Sequence, residues 1–77
     1  MPEIDQERYQ AMIGSDTSDR DGMYLEVWEA KEQLLEVFYS DLDGAMTFTA
    51  YRPDIPLHVV EWAIAEAKGR LPPESKV

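Results

Sequence analysis

The feature that most constrains this chain is a change of hydrophobic period at Arg52-Pro53-Asp54. Upstream, apolar side chains alternate with others; downstream, they recur every three or four residues. A period of two sends successive side chains to opposite sides of a strand, whereas a period near 3.6 gathers them on one side of a helix. Pro53 has no N–H for a sheet ladder, so it marks where strand gives way to helix. The expected fold is therefore α+β: a three-stranded antiparallel β-meander packed on one C-terminal amphipathic helix, in the order βββα.

The alternation starts at Met23. Met23, Leu25 and Val27 point one way, and Tyr24, Glu26 and Trp28 the other, as in a first strand. Ala30, Lys31, Glu32 and Gln33 are polar enough for a turn. Residues 34–39 are β-branched and aromatic, which suits a second strand. Asp41-Leu42-Asp43-Gly44 is the clearest turn, because glycine takes a positive φ at little cost. Residues 45–51 then alternate as a third strand. Downstream of Pro53, Asp54 is a candidate N-cap, and Pro56 fits a first turn that needs no N–H. Leu57, Val60, Ile64, Ala67 and Leu71 form the expected buried stripe. Glu66 and Arg70 are spaced to pair, and Gly69 with Pro72-Pro73 is expected to end the helix.

With residues 41–44 as a four-residue loop, Tyr39 faces Met46, Val37 faces Phe48 and Leu35 faces Ala50. The expected core is then Met23, Leu25, Val27, Leu35, Val37, Tyr39, Met46, Phe48 and Ala50 against Leu57, Val60, Ile64 and Ala67. A one-residue slip would mix the two faces. The opposite face is expected to hold Tyr24, Trp28, Leu34, Phe38 and Tyr51 among Glu26, Glu36, Thr47 and Thr49. Residues 23–71 thus form the expected domain, followed by a short tail over 72–77. Residues 1–22 are expected to be a flexible N-terminal arm that admits a short helix over 4–12. The polar run from Gly14 to Gly22 has the composition of a linker.

Composition narrows the function. A chain of 77 residues holds one domain, and at this size it buries only about 60% of its unfolded surface. It has no cysteine and a single histidine, His58, which argues against a disulfide framework or a structural zinc site. Sixteen acids against seven bases give a net charge of −9. Six of those acids lie in residues 1–21 and seven in 22–55, while residues 56–77 hold three acids and three bases. Such a field repels nucleic-acid phosphate and anionic lipid and favours a basic protein partner, although charge alone also keeps a small domain soluble. No run approaches the ~20 apolar residues of a membrane span. The opening residues have neither a basic start nor an apolar run, so a cytoplasmic location is the expectation.

No catalytic signature is present: there is no nucleophile elbow, phosphate-binding glycine loop or paired-histidine metal motif. The two acidic turns do not complete a calcium loop. Aligning Gly22 with the loop glycine puts Thr17 first and Trp28 last; aligning Gly44 puts Tyr39 first and Ala50 last. No metal or other cofactor is expected, and turn chemistry accounts for these aspartates. Aromatics on a sheet can stack bases, but the basic stripe that nucleic-acid binding needs is missing.

One helix covers one face of a sheet. The remaining face would expose Tyr24, Trp28, Phe38 and Tyr51, more than the scattered apolar residues of an ordinary surface. Trp62 lies off the helical stripe, beside His58 and Val59. These five residues are the candidate partner-binding set. The expected function is a small non-catalytic interaction module, an adaptor or inhibitor. One alternative is a homodimeric structural module using the same face. Another is a subunit of an enzyme or ligand-binding assembly completed by a second chain.

Overall fold

A computed structural model describes residues 4–73. Residues 1–3 of the expected arm and 74–77 of the expected tail lie outside the described residues. The chain forms β1 (Tyr9–Asp16), β2 (Gly22–Glu29), β3 (Glu32–Ser40), β4 (Met46–Ala50) and α1 (Leu57–Arg70). The four strands pair antiparallel in the order β1-β2-β3-β4. The α+β class and the C-terminal helix are as expected, but the sheet has four strands where the sequence reading gave three.

The added strand comes from the segment read as an arm. Residues 5–8 form a turn, in which Asp5 O accepts from Arg8 N at 3.0 Å and from Tyr9 N at 2.9 Å. A strand follows, not the short helix expected over 4–12. Tyr9, Ala11 and Ile13 pair with Glu29, Val27 and Leu25, so the side of the sheet that faces the helix continues into β1. The polar run read as a linker is the end of β1 and the hairpin loop into β2. Pairing to β2 overrides a weak local pattern, since strand preference depends more on neighbours than on intrinsic propensity.

The register of β3 on β4 is the expected one: Leu35↔Ala50, Val37↔Phe48 and Tyr39↔Met46. Gly44, at φ 74°, closes the loop, and Ser40 N–H donates to Ala45 O at 2.9 Å. Between β2 and β3 the turn is shorter than expected, with Glu29 paired to Glu32 around Ala30 and Lys31. Pairing then jumps from Trp28↔Gln33 to Val27↔Leu35, so Leu34 is an extra residue in β3. A bulge of this kind puts two residues opposite one. Here Leu34 joins Leu35 in the core, and both are fully buried. The placement of Leu34 on the outer face is thereby corrected.

The helix stripe is the expected one at Ala67 and Leu71, with Val60 packed partly buried against the core, but it differs at Leu57 and Ile64. Val59, Ala63, Ala67 and Leu71 are buried with Leu25, Val27, Leu34, Leu35, Val37 and Tyr9, whereas Leu57 is 70% exposed and Ile64 38% exposed. The two alanines bring the helix close, and it lies over β2 and β3. The inner side of β4 is therefore left partly uncovered, and Phe48, expected at the core's centre, is 44% exposed. Ala50 is exposed as well. The helix ends also differ. Asp54 adopts a left-handed φ of 58° and does not cap; Pro56 holds the cap position without a side-chain bond. Gly69 lies inside the helix, and Leu71 closes it by donating to Ala67 O at 2.9 Å before Pro72. The Glu66–Arg70 pair forms at 3.2 Å.

Candidate interaction face

The outer face of the sheet, away from α1, is built by Gln10, Met12, Gly14 and Asp16 of β1; Gly22, Tyr24, Glu26 and Trp28 of β2; Glu36 and Phe38 of β3; and Thr47 and Thr49 of β4. It divides into two halves.

In the half next to the β1–β2 loop, the loop supplies a lid. Arg20 lays its guanidinium over the Phe38 ring, with Cζ 4.1 Å from the centroid. Its Nη1 and Nη2 fork onto the Glu36 carboxylate at 3.2 and 3.1 Å, and Nε donates to Asp16 Oδ2 at 2.9 Å. A planar cation with a rigid fork suits both the ring and the carboxylate. Glu36 and Phe38 are consequently buried, at 7% exposure each, and Glu36 is satisfied where an unpaired carboxylate would be costly. Glu36 and Asp16 together hold the Arg20 guanidinium above its ordinary pKa. Asp16 also accepts from the Ser18 hydroxyl and the Ser18 N–H, and these bonds, with Arg20 third, pull its pKa down to about 2. Tyr24 is half-buried beside this group and lies across Gly14, where an added Cβ would stand 2.7 Å from Tyr24 Cζ. The missing side chain makes room for the ring.

In the half next to the β2–β3 turn, none of the described residues forms a lid. Gln10, Met12, Trp28, Ala30 and Lys31 line an open groove of about 510 Å³. Met12 is 55% exposed, and Gln10 pairs with Trp28 across the ladder. The Trp28 indole N–H donates to Glu26 Oε1 at 3.1 Å, which fixes the indole and places a carboxylate at its edge. Ala30 holds a left-handed φ of 56°, a conformation that costs a non-glycine residue about 1 kcal/mol or more. On the helix side of this same end, Glu29 joins Arg8 at 2.6 Å and Arg52 at 3.4 Å, and Arg52 also reaches Glu32 at 3.2 Å. The bond from Arg8, more than that from Arg52, holds the Glu29 carboxyl below its ordinary pKa. This network ties the turn before β1, the end of β2, the start of β3 and the segment after β4 together.

The five residues singled out from sequence are not one surface. Tyr24, Trp28 and Phe38 share the outer face, but Phe38 is under Arg20. Tyr51 is exposed just past β4, and its N–H donates to Leu34 O at 2.8 Å. Trp62 is on the helix, packed against the core, where it borders a cavity of about 350 Å³ with Tyr9, Gln10 and Glu66. Gln10, Met12 and Lys31 beside Trp28 were not among the residues expected from sequence to form this surface. The signal available was the alternation of Tyr9, Ala11 and Ile13, which makes the intervening Gln10 and Met12 outward.

Among the described residues, no group of three or more His, Asp or Glu side chains converges to hold a metal ion. No helix of the described residues is long and apolar enough to cross a membrane. Comparison with protein-family models, curated proteins and solved structures found no match for this chain.

Proposed function

We propose that this chain is a small acidic interaction module that docks a basic, partly apolar segment of a partner protein in the Met12–Trp28 groove. One observation carries the reading: the outer face is closed by Arg20 at one end and left open at the other, around an anchored indole and an exposed methionine. Trp and Met suit this work, since an indole supplies large contact area with one polar handle and a thioether adapts its shape. Glu26 beside the indole and the net charge of −9 favour a cationic partner and speed its arrival. Lys31 at the groove's rim selects for a partner with an acceptor at that end.

Titration of isotope-labelled protein with a panel of Lys- and Leu-containing peptides tests the reading. The Trp28 indole and the Gln10 and Met12 amides should shift together, and Trp28→Ala should weaken binding by about 2 kcal/mol, as for an aromatic anchor. Shifts scattered over all carboxylate-bearing segments, unchanged by Trp28→Ala, would reduce the effect to bulk charge and end the proposal.

A further inference from the structure

We infer that β4 is the contact between two copies of this chain, paired antiparallel about Phe48. The inference is independent of the Met12–Trp28 groove, which lies at the β1 side of the outer face. Ser40 N–H donates to Ala45 O at 2.9 Å and Tyr51 N–H to Leu34 O at 2.8 Å. Alternation along an antiparallel ladder then turns the backbone groups of Thr47 and Thr49 toward β3 and those of Met46, Phe48 and Ala50 away from the sheet. Among the described residues no strand lies beyond β4.

Edge strands ordinarily carry a charge, a proline or a bulge that discourages pairing. Met46-Thr47-Phe48-Thr49-Ala50 has no charged residue and no proline, and its ladder to β3 is unbroken. An uncharged edge in a chain of net charge −9 is where two copies can meet with the least repulsion. The flanks carry Asp41 and Asp43 before the strand and Arg52 and Asp54 after it, and the antiparallel arrangement about Phe48 brings Arg52 of one copy beside the loop that holds Asp43 of the other.

The strand is also nearly symmetric about Phe48. A two-fold axis there sets Phe48 against Phe48 and Met46 against Ala50. Those are the positions whose N–H and C=O groups face outward. An isologous contact requires such self-complementarity. Thr47 meets Thr49 on the outer face, a favourable cross-strand pair. On the helix face, the two Phe48 rings would close over the apolar groove of about 170 Å³ that Val37, Met46, Phe48 and Ile64 form beside Lys68. The exposed stripe of α1 gains a purpose there: Ile64 and Lys68 border the groove, and Leu57 lies on the same side of the helix by its spacing. A basic partner finds no carboxylate among these groove residues, which favours a second copy as the occupant.

Sedimentation velocity and amide exchange on the full chain test this. The wild type should sediment as two copies of 8.9 kDa at ~100 μM and dissociate on dilution. The Met46, Phe48 and Ala50 amides should exchange ~10-fold faster or more in the diluted sample, while those of Thr47 and Thr49 stay unchanged. Phe48→Lys should give a folded monomer, and Trp28→Ala should leave the dimer intact. The exchange result stands on the wild type, so it holds even if Phe48→Lys fails to fold. A monomer at ~100 μM whose Phe48 amide exchanges freely overturns the inference. So does a dimer that Trp28→Ala dissolves, or one whose Phe48 amide is unprotected.

Discussion

On the helix side of the sheet, Leu25, Val27, Leu35 and Val37 are covered by Val59, Ala63 and Ala67. On the other side, Phe38 is covered by one guanidinium, itself held by Glu36 and Asp16. The first cover is apolar surface removed from water, non-directional and insensitive to pH. The second is directional: it requires one arginine, two carboxylates and a hairpin loop of the right length, and it spans only half the face. A domain this small has one helix to spend on its core, so its second face is closed by ion-paired chemistry or left open. The contrast accounts for the position of the groove, which begins where the reach of Arg20 ends.

The largest expected effect is on the apolar side. Leu35→Ala should destabilise by about 3–5 kcal/mol in urea unfolding, because a fully buried leucine between sheet and helix leaves a cavity. A loss below ~1 kcal/mol would mean that the helix does not close this face as described. Arg20→Ala should come next, at about 2 kcal/mol, since it uncovers Phe38 and leaves Glu36 without its partner. Arg20→Lys should recover little of that loss, because an ammonium can neither fork nor stack as a guanidinium does.

Acid should distinguish the faces more gently. The Asp16 carboxyl has a folded value of about 2, below the ~3.9 of an unfolded aspartate. Its contribution is therefore complete above pH ~4 and disappears as the pH falls toward 2. Wild type should be more stable than Asp16→Asn above that window, and the two should converge at its lower end. Parallel curves throughout would show that Asp16 does not help to hold the lid. The smallest effect should fall at the uncovered edge of the helix: Ile64→Ala should cost about 1 kcal/mol in the dilute monomer, because the side chain is already partly in water.

How far the sequence carried this picture follows the same division. Period two from Met23 to Tyr51 and the helical pattern after Pro56 gave the meander, the β3–β4 register and the presence of α1, because apolar periodicity is a local signal. It placed Ala67 and Leu71 but misjudged the upstream part of the stripe, since Leu57 and Ile64 are as apolar as Val59 and Ala63. Only the close approach allowed by alanine selects the second pair. It also missed the Leu34 bulge, which leaves a run of apolar residues unchanged while moving one of them across the sheet. β1 was hidden because Gly14, Ser15 and Asp16 read as linker until β2 is present to pair with them. The lid was least legible of all. Arg20 lies 16 residues before Glu36 and in a different hairpin segment from Phe38, and nothing local marks one arginine as the cover of one ring. The candidate set accordingly included Phe38, which is covered, and left out Met12, which is open.

The most direct test of the two-halved outer face is urea unfolding of Phe38→Ala and Trp28→Ala measured side by side at low concentration. Phe38 is buried beneath Arg20, and Trp28 lines an open groove with its indole N–H on Glu26. Phe38→Ala should therefore lose about 3 kcal/mol and Trp28→Ala about 1 kcal/mol, on the scale of aromatic truncations graded by burial. Equal losses, or a larger loss at Trp28, would mean that Trp28 belongs to the core and that no half of this face is free to bind.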